Sequence, residues 1–347
     1  MKTKLLGLLF LLLLFSCQDE TKSTILLISN SGSSSVAKFD LNTGKYLGLF
    51  ITENAGGLTY PDAITKLANR SLIVSSGCRA TPDSVCSKPN SSLLKYDQNT
   101  GEFQGVFASA SSSELLYRPY GTKVGKDSLV YVASFVGNAI LRYNQKGQLH
   151  DVFAKSHGKD SLGLNGPNGL AFDADESHLF VTTEGSSVDC DSLKLGNCTV
   201  EFTGYPSLIL KYDLSNGSSE VFTVPTITDT NNPPSLAGIV LAPNNKLFVA
   251  DFTLNIIRIY DPSSGEQERT INIDIGTICN TANISDQYLG DLEVEEDGSI
   301  LVTVGGNNDS DPGGVVRIIA PEYSQLECVI SPTNNINRPI GLHVISE

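Results

Sequence analysis

Asp62, Tyr120 and Asn168 occupy one equivalent position in three copies of a short pattern, "PDAITKLANR", "PYGTKVGKD" and "PNGLAFDADE". A carboxylate, a phenol and an amide can hydrogen-bond a polar ligand, and Asp62 and Asn168 can also offer oxygen to a cation. Three further copies place Ala237, Gly290 and Ile340 at this position. Two oxygen donors are far short of the six or more that calcium prefers, and an Asn before Gly is also a common turn residue. The pattern therefore marks candidate ligand-binding residues more strongly than a metal centre.

Other chemistry-bearing residues are less organised. Asn307-Asn308-Asp309-Ser310-Asp311 resembles the start of a calcium loop, but Pro312 and Ile318 stand where an EF-hand needs Gly and Glu, so the stretch reads as a solvated loop. The four His are scattered at 150, 157, 178 and 343, with no nucleophile in sequence context to suggest a triad. Only His157 falls in a connection able to reach the site. The chain has no GxSxG, phosphate loop or zinc spacing, and no Trp to stack on sugars. No catalytic residue is identified.

Seven Cys are present. With Cys17 set apart, an even set remains, as expected of a disulfide framework in an oxidising compartment. Local spacing favours Cys78 with Cys86 and Cys190 with Cys198, which leaves Cys279 with Cys328.

The elements that must position these residues repeat. "SLLKYDQNTGEFQGVFA" reads as two strands joined by a turn, and "VAKFDLNTGKYLGLF", "AILRYNQKGQLHDVF", "LILKYDLSNGSSEVF" and "IIRIYDPSSGEQERT" repeat it. The turns run from Asp40 to Gly44, Asp97 to Gly101, Asn144 to Gly147, Asp213 to Gly217 and Asp261 to Gly265. In each, the acidic or amide side chain can bond the backbone two residues on, and Gly can take positive φ. A sixth copy, "GVVRIIAPEYSQLECVI", lacks the turn Gly. Ahead of each hairpin lies an almost wholly apolar run ("TILLIS", "SLIVSS", "LVYVAS", "HLFVTT", "KLFVAD", "SILVTV"), the composition of a strand covered on both faces. The pattern with Asp62, Tyr120 and Asn168 precedes these runs, so each unit has strands a, b, c and d in order. The first unit lacks its strand a, and "RPIGLHVIS" at the C-terminus supplies the missing template. The expected fold is all-β: a six-bladed β-propeller over 24–347, closed by a C-terminal strand that completes the first blade and removes the open edge.

Antiparallel strands put the b–c and d–a connections on one rim. These are the long ones, notably 77–90 and 184–206, and they hold nearly all the Cys. Long loops pinned to a rigid scaffold are where binding residues concentrate. Tyr205 and Tyr288 join the candidate binding residues there, with Tyr60, Tyr117 and Phe202 as aromatic neighbours.

The N-terminus carries an address. Lys2 and Lys4 precede an apolar stretch at 5–15, too short to span a bilayer as an ordinary helix and suited to a secretory signal. Leu14-Phe15-Ser16-Cys17 resembles the lipobox of bacterial lipoproteins, which implies a leader over 1–16, lipidation at Cys17 and a linker over 17–23. Gln18 after the Cys, where Asp would suggest inner-membrane retention, favours the outer membrane. Gln18-Asp19-Glu20 is similar to a surface-export tag of lipoproteins. With 24 Lys and Arg against 38 Asp and Glu, the net charge is −14, and loss of Lys2 and Lys4 makes it more acidic. Such a surface repels phosphate backbones and excludes nucleic acid as a partner.

The wording of the blades, "PNGLAFDADESHLFVTTEG" and "NKLFVADFTLNIIRIYDPSSG", resembles NHL-repeat propellers and the gluconolactonase/regucalcin-like superfamily over nearly all of 24–347. That resemblance implies a divalent cation, calcium or another, held by the ring of residues at the tunnel mouth and polarising a substrate carbonyl or activating water. Asn168 matches the family's Asn ligand, and Asp62 is a candidate second. Arg338-Pro339 stands where the family has a Glu, and Ala237 where it has an Asp, so the expected cation site is incomplete. The expected function is a lipid-anchored extracytoplasmic binding protein of the cell envelope, periplasmic or surface-exposed, taking a small molecule, glycan or envelope protein at the loop-rich rim. The alternatives are a divalent-metal lactonase and a structural subunit of an envelope complex.

Overall fold

The computed structural model describes residues 24–78, 91–156, 162–190, 198–201, 204–227 and 229–346. Cys17, the leader, Cys86, His157 and Phe202 lie outside them. The first blade contains β1 (Thr24–Asn30), β2 (Ser35–Asp40) and β3 (Tyr46–Ile51). The second is β4 (Ile64–Lys66), β5 (Ser71–Ser76), β6 (Ser92–Asp97) and β7 (Phe103–Ser109). The third is β8 (Pro119–Val124), β9 (Val130–Ser134), β10 (Ala139–Tyr143) and β11 (Leu149–Lys155). In the fourth, β12 (Pro167–Phe172) and β13 (His178–Thr183) are followed by a side hairpin, β14 (Ser187–Cys190) and β15 (Cys198–Glu201), before β16 (Leu208–Asp213) and β17 (Ser219–Thr223). The fifth is β18 (Leu236–Ala242), β19 (Lys246–Asp251), β20 (Ile256–Tyr260) and β21 (Gln267–Asn272). A short helix, α1 (Ile275–Cys279), leads to the sixth, β22 (Gln287–Val294), β23 (Ile300–Gly306), β24 (Pro312–Ile319) and β25 (Gln325–Asn337). Finally β26 (Pro339–Ser346) pairs antiparallel with β1, from Thr24 opposite Ser346 to Asn30 opposite Pro339. The chain is thus six four-stranded antiparallel sheets, closed by strands from both ends.

Burial follows position in the blade. β5, β9 and β23 are buried at every residue, whereas the outermost β21 is exposed along most of its length. The inner strands are apolar on both faces because each blade packs against two neighbours. Every neighbouring pair shares an apolar cluster. The pair across the closure is built like the others, with Leu26, Ile28 and Leu342 of blade one against Leu301, Val315 and Ile330 of blade six.

The hairpin turns form as their residues require. The Asp40 carboxylate accepts the Thr43 N–H at 2.8 Å, Asp213 accepts Ser215 at 2.7 Å and Asp261 accepts Ser263 at 2.9 Å. Each turn closes on a Gly in the left-handed region, with φ of 67° at Gly44, 74° at Gly217 and 75° at Gly265. Cys279 and Cys328 form a disulfide with Cα atoms 5.0 Å apart, tying α1 to β25. Cys78 is disulfide-bonded. Cys190 and Cys198 are opposed in the β14–β15 register. No helix among the described residues is long and apolar enough to cross a membrane.

Candidate functional site

Strand a opens with a break in register in every blade but the second. In β8 the pairing passes from Pro119–Ser134 to Thr122–Val132, in β12 from Pro167–Thr183 to Leu170–Val181, and β18, β22 and β26 do the same. Such a bulge re-aims a side chain that regular alternation would send into the sheet. Here the bulged positions hold Tyr120, Asn168, Ala237, Gly290 and Ile340, all of which line the axial cavity together with Asp62.

In blades one and three to five the residue that follows is glycine. A Cβ on Gly121 would lie 2.3 Å from the carbonyl oxygen of Asn168, and one on Gly341 would lie 2.1 Å from that of Asp62. The carbonyl of one ring residue thus rests against the glycine of the preceding blade. A strand-b hydroxyl clips the contact. Thr182 accepts the Gly169 N–H at 2.8 Å and donates to the Ala237 carbonyl at 2.5 Å. Thr303 links Asp291 and Ile340 in the same way, and Ser29 links Gly341 and Asp62. Side chains on different blades are thereby held at a fixed spacing around the axis.

In blades one to four a proline precedes the ring residue, and the residue before that proline is left-handed: φ is 52° at Arg338, 41° at Tyr60, 51° at Arg118 and 62° at Gly166. Proline disfavours the right-handed helical region for its predecessor. For a non-glycine residue the left-handed alternative costs on the order of 1 kcal/mol or more, and such strain gathers at functional sites. Two arginines thus stand in equivalent strained positions on blades three and one, on either side of the blade that carries Asp62.

The cavity has a volume of 820 Å³ and opens on the rim of the long connections. Arg118 is only 6% exposed, with its guanidinium carbon 4.5 Å from the Tyr120 ring centre and 5.1 Å from that of Phe135. Arg338, 9% exposed, lies over Tyr288 at 5.6 Å. Asn168 Nδ2 donates to Glu184 Oε1 at 2.6 Å. Burial pushes the Asp62 carboxyl up to about 8; Asp291 and Glu184 act in the same direction, while Arg118 and Arg338 oppose it. Burial raises Glu184 to about 7 against the pull of Arg118, the Asn168 hydrogen bond and Arg338. Asp291 is also raised by burial, with Lys123 opposing. The phenol of Tyr120 is raised by burial too. The same cavity is lined by Tyr205, Val224, Ile227, Pro233 and Pro234, which supply apolar surface, interspersed with Thr230, Asn231, Asn232 and Ser235.

Asp62, Tyr120, Asn168 and Tyr205 all line this cavity. Tyr288 does not: it is 1% exposed, stacks on Phe252 at 4.5 Å and donates to the Pro339 carbonyl at 2.8 Å, so it supports Arg338 from beneath. Sequence reasoning passed over Arg118, Glu184 and Asp291, and treated Arg338 only as a departure from a family pattern. A signal was available in the recurrence of Arg-Pro at one repeat position, 118–119 and 338–339, and in Glu184 directly after a buried strand. The 307–311 stretch closes on itself, with Asp311 accepting from the backbone and side chain of Asn308 at 2.8 and 3.0 Å. His178 pairs with Asp173 and His343 with Glu293, and His150 is exposed on β11.

A divalent cation fits these residues poorly. Among the described residues no group of three or more His, Cys, Asp or Glu side chains converges as metal ligands. Asp62 and Glu184 already lie in the field of two fixed cations, Arg118 and Arg338. That is the reverse of what a hard cation requires.

No protein-family profile matches the chain, and no curated protein is recognisably similar in sequence. Solved structures are similar in shape. A chain of a nidogen–laminin complex superposes with a TM-score of 0.60 at 9% identity, covering 92% of this chain and 98% of that one. A protein of unknown function from Bacteroides caccae gives 0.60 at 11%, covering 94% and 100%. Regucalcin from Agrobacterium tumefaciens, a calcium-binding protein, gives 0.53 at 13%, covering 83% and 79%. The fold is a six-bladed propeller. At these identities the likeness extends to the fold and stops there, because propellers host unrelated chemistries.

Proposed function

We propose that this protein is a lipid-anchored, extracytoplasmic binding protein that holds a small-molecule ligand in the axial cavity. The observation that carries this reading is the cavity itself: 820 Å³, lined by apolar side chains together with convergent polar groups. Those are the properties of small-molecule sites, which span roughly 300–1,000 Å³. The disulfide between Cys279 and Cys328 suits an oxidising compartment, and the Cys17 motif supplies the anchor. An envelope protein or glycan docking on the rim would cover the same mouth.

The test uses full-length protein carrying Cys17→Ser, secreted without lipid. A panel of metabolites and oligosaccharides is screened for a rise in Tm, then repeated with Ala237→Phe, which fills the cavity from blade five. Ligands are expected that stabilise the parent and lose their effect in the filled variant. A panel without such compounds, or shifts indifferent to Ala237→Phe, counts against the reading. The same Cys17→Ser change is expected to release the protein from membranes, and continued retention would remove the anchor from the proposal.

A second reading, acid–base turnover of a bound ester or lactone, draws on one observation. Asp62 near 8 and Glu184 near 7 are poised for proton transfer at neutral pH. Hydrolysis of a lactone panel that disappears in Glu184→Gln would favour it over simple binding.

A further inference from the structure

We propose that the cavity binds an amphipathic small molecule through an oxyanion group, carboxylate or phosphate, held by Arg118 and Arg338, with its apolar body along the Tyr205–Ile227–Pro234 wall. This rests on the reading of the cavity as a ligand site and names the chemistry of its occupant.

Guanidinium groups are costly to bury, and the cost is offset only by hydrogen-bonded partners. Arg118 and Arg338 are each more than nine-tenths buried, yet Arg118 Nη1 and Arg338 Nε are enclosed with no hydrogen-bond partner among the described residues. Both head groups are fixed by stacking: Arg118 on Tyr120 and Phe135, Arg338 on Tyr288. Stacking engages the flat face of a guanidinium, and both arginines line the cavity, so their remaining N–H donors, other than the two enclosed ones, can grip a planar or tetrahedral oxyanion. The acids beside them make no hydrogen bond to the enclosed donors. Glu184 takes the Asn168 amide. Asp309 accepts the Tyr60 hydroxyl and forms a long ion pair with Arg338 Nε at 3.9 Å, beyond hydrogen-bond reach.

The two arginines occupy the same repeat position on blades three and one, and both act electrostatically on Asp62 and Glu184. They therefore face a common volume. Each is held there by a strained left-handed backbone that a glycine would satisfy more cheaply, as Gly166 does in blade four. The chain as a whole is strongly acidic, so an anion gains nothing from general attraction and must be recognised locally. Elsewhere in the cavity lining, Val224 is 44% and Ile227 50% exposed beside Pro233 and Pro234, apolar surface available to a hydrocarbon or ring.

The experiment measures binding of octanoate, octyl phosphate, 1-octanol and octylammonium to the Cys17→Ser protein by calorimetry. Octanoate, octyl phosphate or both are expected to bind, and which of them binds separates a carboxylate ligand from a phosphate one. The alcohol and the amine are expected to bind at least tenfold more weakly. Arg118→Lys and Arg338→Lys keep the charge but lose the fork, and each should weaken the anion about tenfold, a loss of about 1.4 kcal/mol. Unchanged circular dichroism and Tm would show that the variants are folded; Arg118→Gln and Arg338→Gln serve if the lysine forms are not. Anion affinity within twofold of the parent in all folded variants overturns the proposal. So does equal binding of 1-octanol or octylammonium; if Ala237→Phe abolishes that binding, the cavity remains a ligand site for a different chemistry. No binding by any of the four probes also overturns the oxyanion assignment, and the wider panel then decides whether the cavity binds anything.

Discussion

Replacing Asp62 by Asn should change how stability responds to pH. In the unfolded chain this carboxyl loses its proton near its ordinary value of 3.8, whereas in the folded protein it holds the proton to about 8. Between those values the native state carries a proton that the unfolded state has released, so stability falls as pH rises through the window and levels off above it. A gap of that width corresponds to at most about 6 kcal/mol. Asp62 keeps some exposure to the cavity, where water screens the charge, and we expect about 2 kcal/mol. Glu184, raised to about 7, acts in the same direction. The assay is urea unfolding at pH 5, 6.5 and 8.5, without reductant, followed by circular dichroism. The net charge of −14 adds a repulsion that also grows with pH, so the difference between variant and parent is the informative quantity. Asp62→Asn should exceed the parent by about 0.6 kcal/mol at pH 5, which already lies above the unfolded value, and by about 2 kcal/mol at pH 8.5. A variant less stable than the parent at pH 8.5, or a constant difference at all three values, would refute the account of a carboxyl held neutral by burial.

Two further outcomes test the framework around the site. Gly341→Ala places a Cβ 2.1 Å from the Asp62 carbonyl; it should cost about 2 kcal/mol in urea unfolding, and a neutral effect would deny the close approach of blades one and two. Removing the Cys279–Cys328 bridge, whose cysteines are 49 residues apart, with paired Cys→Ser changes should lower stability by up to about 4 kcal/mol in the chain-entropy view. Loss of less than 1 kcal/mol would show that α1 and β25 are ordered without it.

The repeats, their strand order and their closure were legible because each depends on local chemistry repeated many times. Asp40 with Gly44 and Asp213 with Gly217 write the same turn, and an orphan strand-a pattern at 338–346 demands a partner at the other end of the chain. Asp62, Tyr120 and Asn168 could be placed on one ring for the same reason, since register within a repeat carries over from blade to blade. The tertiary structure decided what surrounds them. Arg118 and Arg338 are 220 positions apart and come to face one volume only when the ring closes, and their stacking on Tyr120, Phe135 and Tyr288 depends on how blades pack. Glu184 meets Asn168 across two strands of one blade, and burial, which no linear pattern displays, shifts both it and Asp62. Turn type and strand period are set by neighbours a few residues away; the electrostatics of a cavity are set by groups brought together from several blades and by the water that their packing excludes.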